Sequence, residues 1–318
     1  MRYSFAPLEG VTGYLYRNAH RRYFGGVDKY YLPFLSPSAE HSFTQKSFVD
    51  ILPAHNEGLV AVPQLLTKCA PDFIWAANEL EKLGYPEVNL NLGCPSGTVT
   101  AKGKGAGFLA SPDQLDRFLE EVFSAVRLPV SIKTRLGISE PDEFDQLLEI
   151  YNKYPLTELI IHARVREDFY KRPARPEAFA KALAASRNPV CYNGDLLTAA
   201  DCAAFSARFP TVDSVMLGRG LVANPALVAV LKGGVAPGKA TLQAFHDELY
   251  ESYCAAFGSR QNAMRRMKEL WFYLICLFED SGSAGKKLKK ATDPRDFEAV
   301  TAGIFRDLAL RTEALANW

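Results

Sequence analysis

Pro86-Glu87-Val88-Asn89-Leu90-Asn91-Leu92-Gly93-Cys94-Pro95 is the stretch on which the reading of this chain turns. The apolar run to Leu90 leads into Asn91-Leu92-Gly93-Cys94-Pro95. A strand that meets Gly-Cys-Pro stops abruptly, because Pro95 has no N–H to continue a ladder and Gly93 permits a turn. The thiol of Cys94 is thereby set at the mouth of whatever the strand points into. Ser96–Gly107 follows at once, with Lys102 and Lys104 among several glycines, and reads as a mobile cover. A lone cysteine is most often a packed apolar thiol, but this setting favours chemistry. A thiol of ordinary pKa is mostly protonated at neutral pH and can give up a proton. Acting as a nucleophile, it would need a histidine base nearby.

Similar short runs recur along the chain, near Tyr3–Ala6, Val27–Leu35, Leu59–Leu65, Glu87–Leu92, Val130–Thr134, Glu158–His162, Val190–Asn193 and Ser214–Leu217. Amphipathic stretches lie between them, including Asp72–Leu83, Pro112–Val126, Asp142–Tyr151, Pro176–Ala185 and Ala199–Phe209. Ser111-Pro112 and Thr198 are good helix starts. The runs are apolar on both faces, as buried parallel strands are. Eight such β/α units predict an α/β fold, a (β/α)8 TIM barrel. An open doubly wound sheet is the competitor, but Ala6-Pro7-Leu8-Glu9-Gly10 after the first strand lacks the expected Gly-rich turn. Past the Gly/Pro linker Lys232–Gly238 the pattern becomes helical over Leu242–Phe257, Asn262–Phe278 and Asp296–Ala314. The expected domains are a barrel over 1–235 and a small helical bundle over 236–318.

The 318 residues are 48% hydrophobic, enough for a large core with an appendage. The formal charge of +1 gives no global sign of nucleic acid or membrane. Six cysteines, at 69, 94, 191, 202, 254 and 276, form no CxxC pair. That pattern is expected of free thiols in a reducing cytosol. The first residues lack a signal-peptide core and no apolar run is long enough to span a membrane, so a cytoplasmic protein is expected; it is also expected to be monomeric.

In a barrel the chemistry sits at the C-terminal strand ends. Those ends carry Gln64, Asn91 with Cys94, Lys133 with Arg135, His162 with Arg164, Asn193-Gly194-Asp195 and Gly218-Arg219-Gly220. The turns at Asn193–Asp195 and Gly218–Gly220 follow the last two strands, where a phosphate-bearing ligand usually binds. Lys133 and Arg135 are two apart, so both point the same way, into the mouth. Two cations there need an anionic or electron-rich partner, unless neighbouring carboxylates supply it. His162 stands without a second ligand at metal spacing, so no metal is expected. Two local excesses of positive charge also stand out. Arg260–Lys290 has eight cations against Glu269, Glu279 and Asp280, and Arg164–Arg175 has five against Glu167 and Asp168. Either is ordinarily a solvated face; together they suit a polyanion. Trp271, Phe272 and Tyr273 lie within the first excess and read mostly as core.

Six segments together resemble the tRNA-dihydrouridine synthases. They are Ala6-Pro-Leu-Glu-Gly-Val-Thr12, Asn91-Leu-Gly-Cys-Pro95, Lys133-Thr-Arg-Leu-Gly137, Ile161-His-Ala-Arg164, Tyr192-Asn-Gly-Asp195 and Met216-Leu-Gly-Arg-Gly-Leu-Val-Ala-Asn-Pro225. Met264-Arg-Arg-Met-Lys-Glu-Leu-Trp-Phe-Tyr273 looks like that family's helical RNA-binding domain. The resemblance implies an FMN barrel that reduces the C5=C6 bond of uridine in tRNA with NADPH, or NADH, as reductant. It implies flavin contacts for Pro7, Leu8, Gln64, Lys133 and His162, and phosphate contacts for Asn193, Gly194, Asp195, Gly218 and Arg219. It assigns Asn91, Arg135, Tyr170 and Arg164 to the substrate and makes Cys94 the proton donor to C5. Leu8 stands where the family often has Met, Ala163 where Gly is common, and Arg172-Pro173-Ala174 departs after Tyr170. Two other readings compete. A small-molecule FMN reductase like dihydroorotate dehydrogenase leaves the basic helices unexplained, and an RNA-binding protein with a vestigial barrel would be colourless.

Overall fold

The computed structural model describes residues 1–315, so the last three positions of the expected helical domain lie outside it. Its strands are β1 (Arg2–Phe5), β2 (Lys29–Tyr31), β3 (Ala61–Val62), β4 (Gln64–Leu65), β5 (Val88–Leu92), β6 (Val130–Arg135), β7 (Leu159–His162), β8 (Val190–Asn193) and β9 (Ser214–Leu217). They form one sheet in the order β3-β2-β1-β9-β8-β7-β6-β5-β4. Its two edge strands, β3 and β4, are one stretch of chain divided by Pro63. Proline cannot donate to a ladder, yet the Pro63 carbonyl still accepts from Asn89 N at 2.9 Å. β3 pairs in parallel with β2, and β4 in parallel with β5. The sheet therefore closes on itself as eight staves, and the eight runs read from the sequence are all present. At the seam between β1 and β9, Arg2 N donates to the Asp213 carbonyl at 2.6 Å.

Every residue of β5 is buried, as a parallel strand covered on both faces must be. Helices Ala70–Lys82 and Pro112–Ala125 flank it in sequence, and Phe73 and Phe118 meet edge to face at 5.8 Å. Thr198 caps helix Ala199–Arg208 in a reciprocal capping box with Asp201. Ser111 precedes Pro112 as expected, but its hydroxyl makes no cap bond. The expected mobile cover is instead a short helix, Gly97–Thr100, followed by a 3-10 turn, Gly105–Ala110. Its glycines serve close packing: a Cβ on Gly105 would lie 2.9 Å from the Cys94 carbonyl, and one on Gly107 2.7 Å from the Thr100 carbonyl.

The chain divides into two compact units. One comprises Met1–Ser4, Lys29–Asp195 and Pro210–Met216, and holds nearly all of the sheet. The other comprises Phe5–Asp28, Leu196–Phe209 and the chain from Leu217 onward. In the second, helix Tyr14–Tyr23 packs on helix Lys239–Phe257, with Phe245 against Tyr16 at 5.7 Å and Phe24 at 5.1 Å. Helices Arg260–Leu274, Gly282–Lys290 and Pro294–Asp307 follow. The last ends at Asp307, short of the expected Ala314, because the chain becomes extended at Leu308 and Leu310 bridges Phe278. No helix among the described residues is long and apolar enough to cross a membrane.

His20, on helix Tyr14–Tyr23, is fully buried, and its Nε2 lies 2.9 Å from the Pro225 carbonyl. Burial pushes its pKa down from 6.5 to about 4, against the opposing pull of that carbonyl. The unfolded chain takes up this proton near pH 6.5, while the folded chain resists until about pH 4. Folding stability is therefore lost as pH falls through that window, by about 3 kcal/mol in total. Urea unfolding of the wild type and of His20→Gln at pH 7 and pH 4 checks this: the variant should show a pH slope smaller by that amount.

Candidate functional site

The first unit builds its polar cluster on the C-terminal halves of adjacent strands. In register, Gln64 lies beside Asn89, Asn91 beside Lys133, Arg135 beside His162 and His162 beside Asn193. Neighbours across a parallel ladder share a face, so these side chains gather on one surface. A chain of hydrogen bonds runs through the buried members. Asn89 Nδ2 donates to Ser131 Oγ at 2.9 Å, and Gln64 Nε2 donates to Asn89 Oδ1 at 2.8 Å. Asn91 Nδ2 then donates to Gln64 Oε1 at 2.5 Å. Asn91 Oδ1 accepts from the backbone N–H of Gly93 at 3.0 Å and of Cys94 at 2.9 Å. The turn that carries Cys94 is thus locked by the side chain of Asn91, and that side chain by the strand next door. Ser131 and Asn89 carried no functional signal in the sequence beyond Asn89 sharing a strand face with Asn91.

Lys133 and Arg135 do point the same way. Lys133 Nζ passes the Gly93 turn, 3.8 Å from where a Cβ would stand on that glycine. The Lys133 amine makes no hydrogen bond or ion pair among the described residues. Burial, then the positive charge of Arg135, pushes its pKa down to about 8. Cys94 lies close enough for a thiolate there to favour the charged amine, a coupling that the spacing to Lys102 and Lys104 had not revealed.

Arg135 is wholly buried. Its Nε donates to the Gly93 carbonyl at 2.9 Å, and its Nη1 to the carbonyls of Val165 at 2.9 Å and Phe169 at 3.1 Å. Nη2 is buried without a partner. Burial lowers its pKa first, and Arg164 adds to the effect. A guanidinium stays charged under such shifts. An orphaned buried N–H costs about 1–3 kcal/mol unless something accepts from it. The ring of Tyr170, half exposed at 52%, lies 5.4 Å above this guanidinium and 5.8 Å from the His162 ring.

The Arg164–Arg175 loop is held by its own charges. Arg164 Nη2 bonds both oxygens of Asp195, at 2.7 and 2.6 Å, while Nη1 donates to His162 Nε2 at 3.1 Å. His162 Nε2 must therefore accept, which leaves it unprotonated. Arg175 pairs with buried Asp168 and holds its carboxyl below the usual range. Arg172 reaches the same carboxylate at 3.8 Å. The expected excess of cations here is thus largely neutralised within the fold, partly by Asp195 from outside the counted window. Gly194 is required by crowding, since a Cβ would sit 2.9 Å from that of Ala174. Asn193 Nδ2 donates to the Met216 carbonyl at 2.8 Å.

In the second unit, Gly218 lies beside Leu8: a Cβ on it would come within 3.6 Å of Leu8 Cδ1 and 3.5 Å of the Ala6 Cβ. Pro7, Leu8, Gly218 and Arg219 are all partly exposed. Helix Arg219–Ala223 begins directly at the turn. Of the cations between Arg260 and Lys290, Arg260 pairs with Glu298 and Arg266 bonds the Gly10 carbonyl. Lys268 Nζ caps Lys289 and Ala291 carbonyls at 2.9 and 2.8 Å. Arg265, Lys286, Lys287, Lys289 and Lys290 are exposed and form no ion pair among the described residues. Trp271 is core, but Phe272 is 58% exposed.

Comparison with known proteins bears on this geometry. The family model for dihydrouridine synthase matches residues 4–282. A probable tRNA-dihydrouridine synthase of Rhodobacter capsulatus is 30% identical over 97% of this chain and 95% of its own. The tRNA-dihydrouridine(16) synthase of Pseudomonas putida is 31% identical over 71% of this chain and 72% of its own. Probable tRNA-dihydrouridine synthase 1 of Synechocystis is 32% identical over 71% of this chain, which spans 63% of that protein. Among solved structures, histamine dehydrogenase from Rhizobium has a TM-score of 0.57 at 12% identity, over 77% of this chain and 46% of its own. Morphinone reductase has a TM-score of 0.51 at 16% identity, over 76% and 89%. At such identities these two establish the barrel fold alone.

Asn91→Ala would strand the N–H groups of Gly93 and Cys94 and the Gln64 carbonyl oxygen at once. With about 1–3 kcal/mol per buried unsatisfied group, partly relieved by relaxation, the expected loss of stability is about 2–4 kcal/mol. The shift of the urea midpoint measures it.

Proposed function

Because this chain belongs to the dihydrouridine synthase family, we propose that it reduces the C5=C6 bond of uridine in tRNA, with FMN as cofactor and NADPH, or NADH, as reductant. The observation that carries the reading is the Cys94 turn, fixed by Asn91 and set beside buried Arg135 and half-buried Lys133, each with a donor to spare. The residues present fit a flavin. Lys133 Nζ is a strong donor lacking an acceptor, and the carbonyl edge of a flavin ring is a suitable partner; Arg135 Nη2, likewise unpartnered, is left for the base. When bound and reduced by the nicotinamide reductant, FMN would supply the hydride that C6 of the uracil receives.

This chain's residues do the rest. In the first unit Lys133, Gln64 and His162 are the proposed ring contacts; Pro7 and Leu8, in the second, carry the same proposed role. In the first unit Asn193, Gly194 and Asp195 are the proposed phosphate contacts; Gly218 and Arg219, in the second, carry the same proposed role. Asn91 keeps one amide N–H beyond its bond to Gln64, and that N–H with Arg135 and Tyr170 orients the base. Arg164 has its donors engaged by Asp195, His162 and the Arg172 carbonyl. It is better read as holding His162 and the loop than as touching substrate. Cys94 gives its proton to C5 as hydride arrives at C6, so the bond is saturated without leaving charge on the base. A uridine inside folded RNA must leave its stack to reach these groups. The region 236–318 is the part proposed to hold the tRNA, with its exposed cations on the backbone phosphates.

Purified Cys94→Ala should stay yellow and bind tRNA, yet lose roughly 10²-fold or more in uridine reduction, the usual contribution of a positioned acid. Dihydrouridine formed in a tRNA from a strain lacking this gene is the readout, and full activity would remove Cys94 from the role. FMN affinity should also carry the Lys133 titration. The amine is charged below about pH 8 and neutral above it, so binding should weaken as pH rises through that value. Lys133→Met should bind more weakly at pH 7 and show no such dependence in fluorescence titrations.

A further inference from the structure

A single exposed aromatic ring is ordinary on a protein surface; the setting of Phe272 is not. On helix Arg260–Leu274, Arg265, Lys268 and Phe272 are spaced by three and four residues and so share one face. Next in the chain comes helix Gly282–Lys290. A Cβ on its Gly285 would meet Ile275 at 3.6 Å, while its Lys289 carbonyl accepts from Lys268. The two helices therefore run antiparallel, and Phe272 is level with residues 285–289. That segment carries Lys286, Lys287 and Lys289, all exposed and without ion pairs among the described residues. The ring itself is braced by Tyr273, which meets it edge to face at 5.0 Å and 89°. An apolar plate thus stands among exposed positive charges, the one carboxylate a turn back, Glu269, being paired with Arg266.

We propose that Phe272 is a stacking platform for one unpaired base of the RNA, with Arg265 and the lysines of helix Gly282–Lys290 on the flanking phosphates. This rests on the reading of an RNA substrate and adds to it a contact site remote in sequence from the reacting uridine's residues. Charge complementarity favours RNA over a protein partner: the ring's neighbours on its helix face toward the N-terminus, Arg265, Lys268 and Glu269, are charged, and Ile275 is only partly exposed, where a protein interface would want a contiguous apolar patch. Stacking of a base on an aromatic ring is indifferent to base identity and separable from phosphate contacts. The first adds affinity independent of salt; the second sets the salt slope.

The test compares wild type, Phe272→Leu and Phe272→Trp with an unmodified tRNA transcript and a fully paired RNA duplex of equal length. Phe272→Leu should weaken transcript binding roughly tenfold, leave the slope of affinity against salt unchanged, and leave duplex binding unchanged. Phe272→Trp should bind the transcript at least as well as wild type. The proposal is overturned if Phe272→Leu binds the transcript within twofold of wild type, loses affinity equally for duplex, or changes the salt slope. It is also overturned if the leucine variant changes only the sedimentation of the protein, which would make the ring a contact between protein copies. Turnover is not needed for this readout. A wild type that binds the transcript but forms no dihydrouridine would count against the proposed reaction and not against the platform.

Discussion

The closing of the sheet at Pro63 is the constraint from which the site follows. Ala61–Leu65 must pair on both sides, with β2 before the proline and with β5 after it. A residue without an N–H can stand between these duties because only its carbonyl is called on, by Asn89. Closure leaves no free edge and brings the C-terminal ends of the strands around one rim. Gln64, the first residue after the break, is thereby delivered to Asn89 and Asn91. Each further bond in that chain fixes the next amide, ending at the backbone of Cys94.

Desolvation is the second constraint. Lys133 and Arg135 are placed where water is scarce, and their pKa values fall accordingly. Nearby Arg164 has a carboxylate, Asp195; Arg175 has Asp168. The fold therefore neutralises the cations that hold the loop and leaves without a carboxylate partner the two that face the rim, with Arg135 Nη2 lacking any acceptor. Unsatisfied buried donors lower stability, and perturbed titratable groups of this kind concentrate at functional sites. The pattern is consistent with the trade of stability for binding capacity that such sites make.

Much of this was legible in one dimension. Strands buried on both faces announce themselves by continuous apolar runs, and the polar residues at their ends marked the rim. The alternation of Lys133 with Arg135 was enough to aim both. What stayed hidden depends on partners distant in the chain. His20 reads as a polar helix residue until the Pro225 carbonyl, 205 positions on, is placed against it. Ser131 gives no signal without Asn89 beside it. The cations of Arg164–Arg175 looked available because Asp195 lies outside any local window. The glycines of Ser96–Gly107 looked mobile because spacing cannot distinguish a glycine that bends freely from one that lets two backbones touch. Phe272 looked like core because its neighbour Trp271 is core.

The seam between β1 and β9 sets an order of events in synthesis. All other joints of the barrel link strands that follow one another in the chain, so they can form as the polypeptide lengthens. Arg2 and Asp213, by contrast, are 211 positions apart. The entropy of closing so large a loop grows only with the logarithm of its length, so distance is a modest thermodynamic burden. It is a strict kinetic one, because β1 must wait with an unpaired side until β9 has left the ribosome. During that interval the nascent sheet has an exposed strand edge. The chain is then most open to mispairing or to a chaperone, and the finished barrel retains no trace of that exposure.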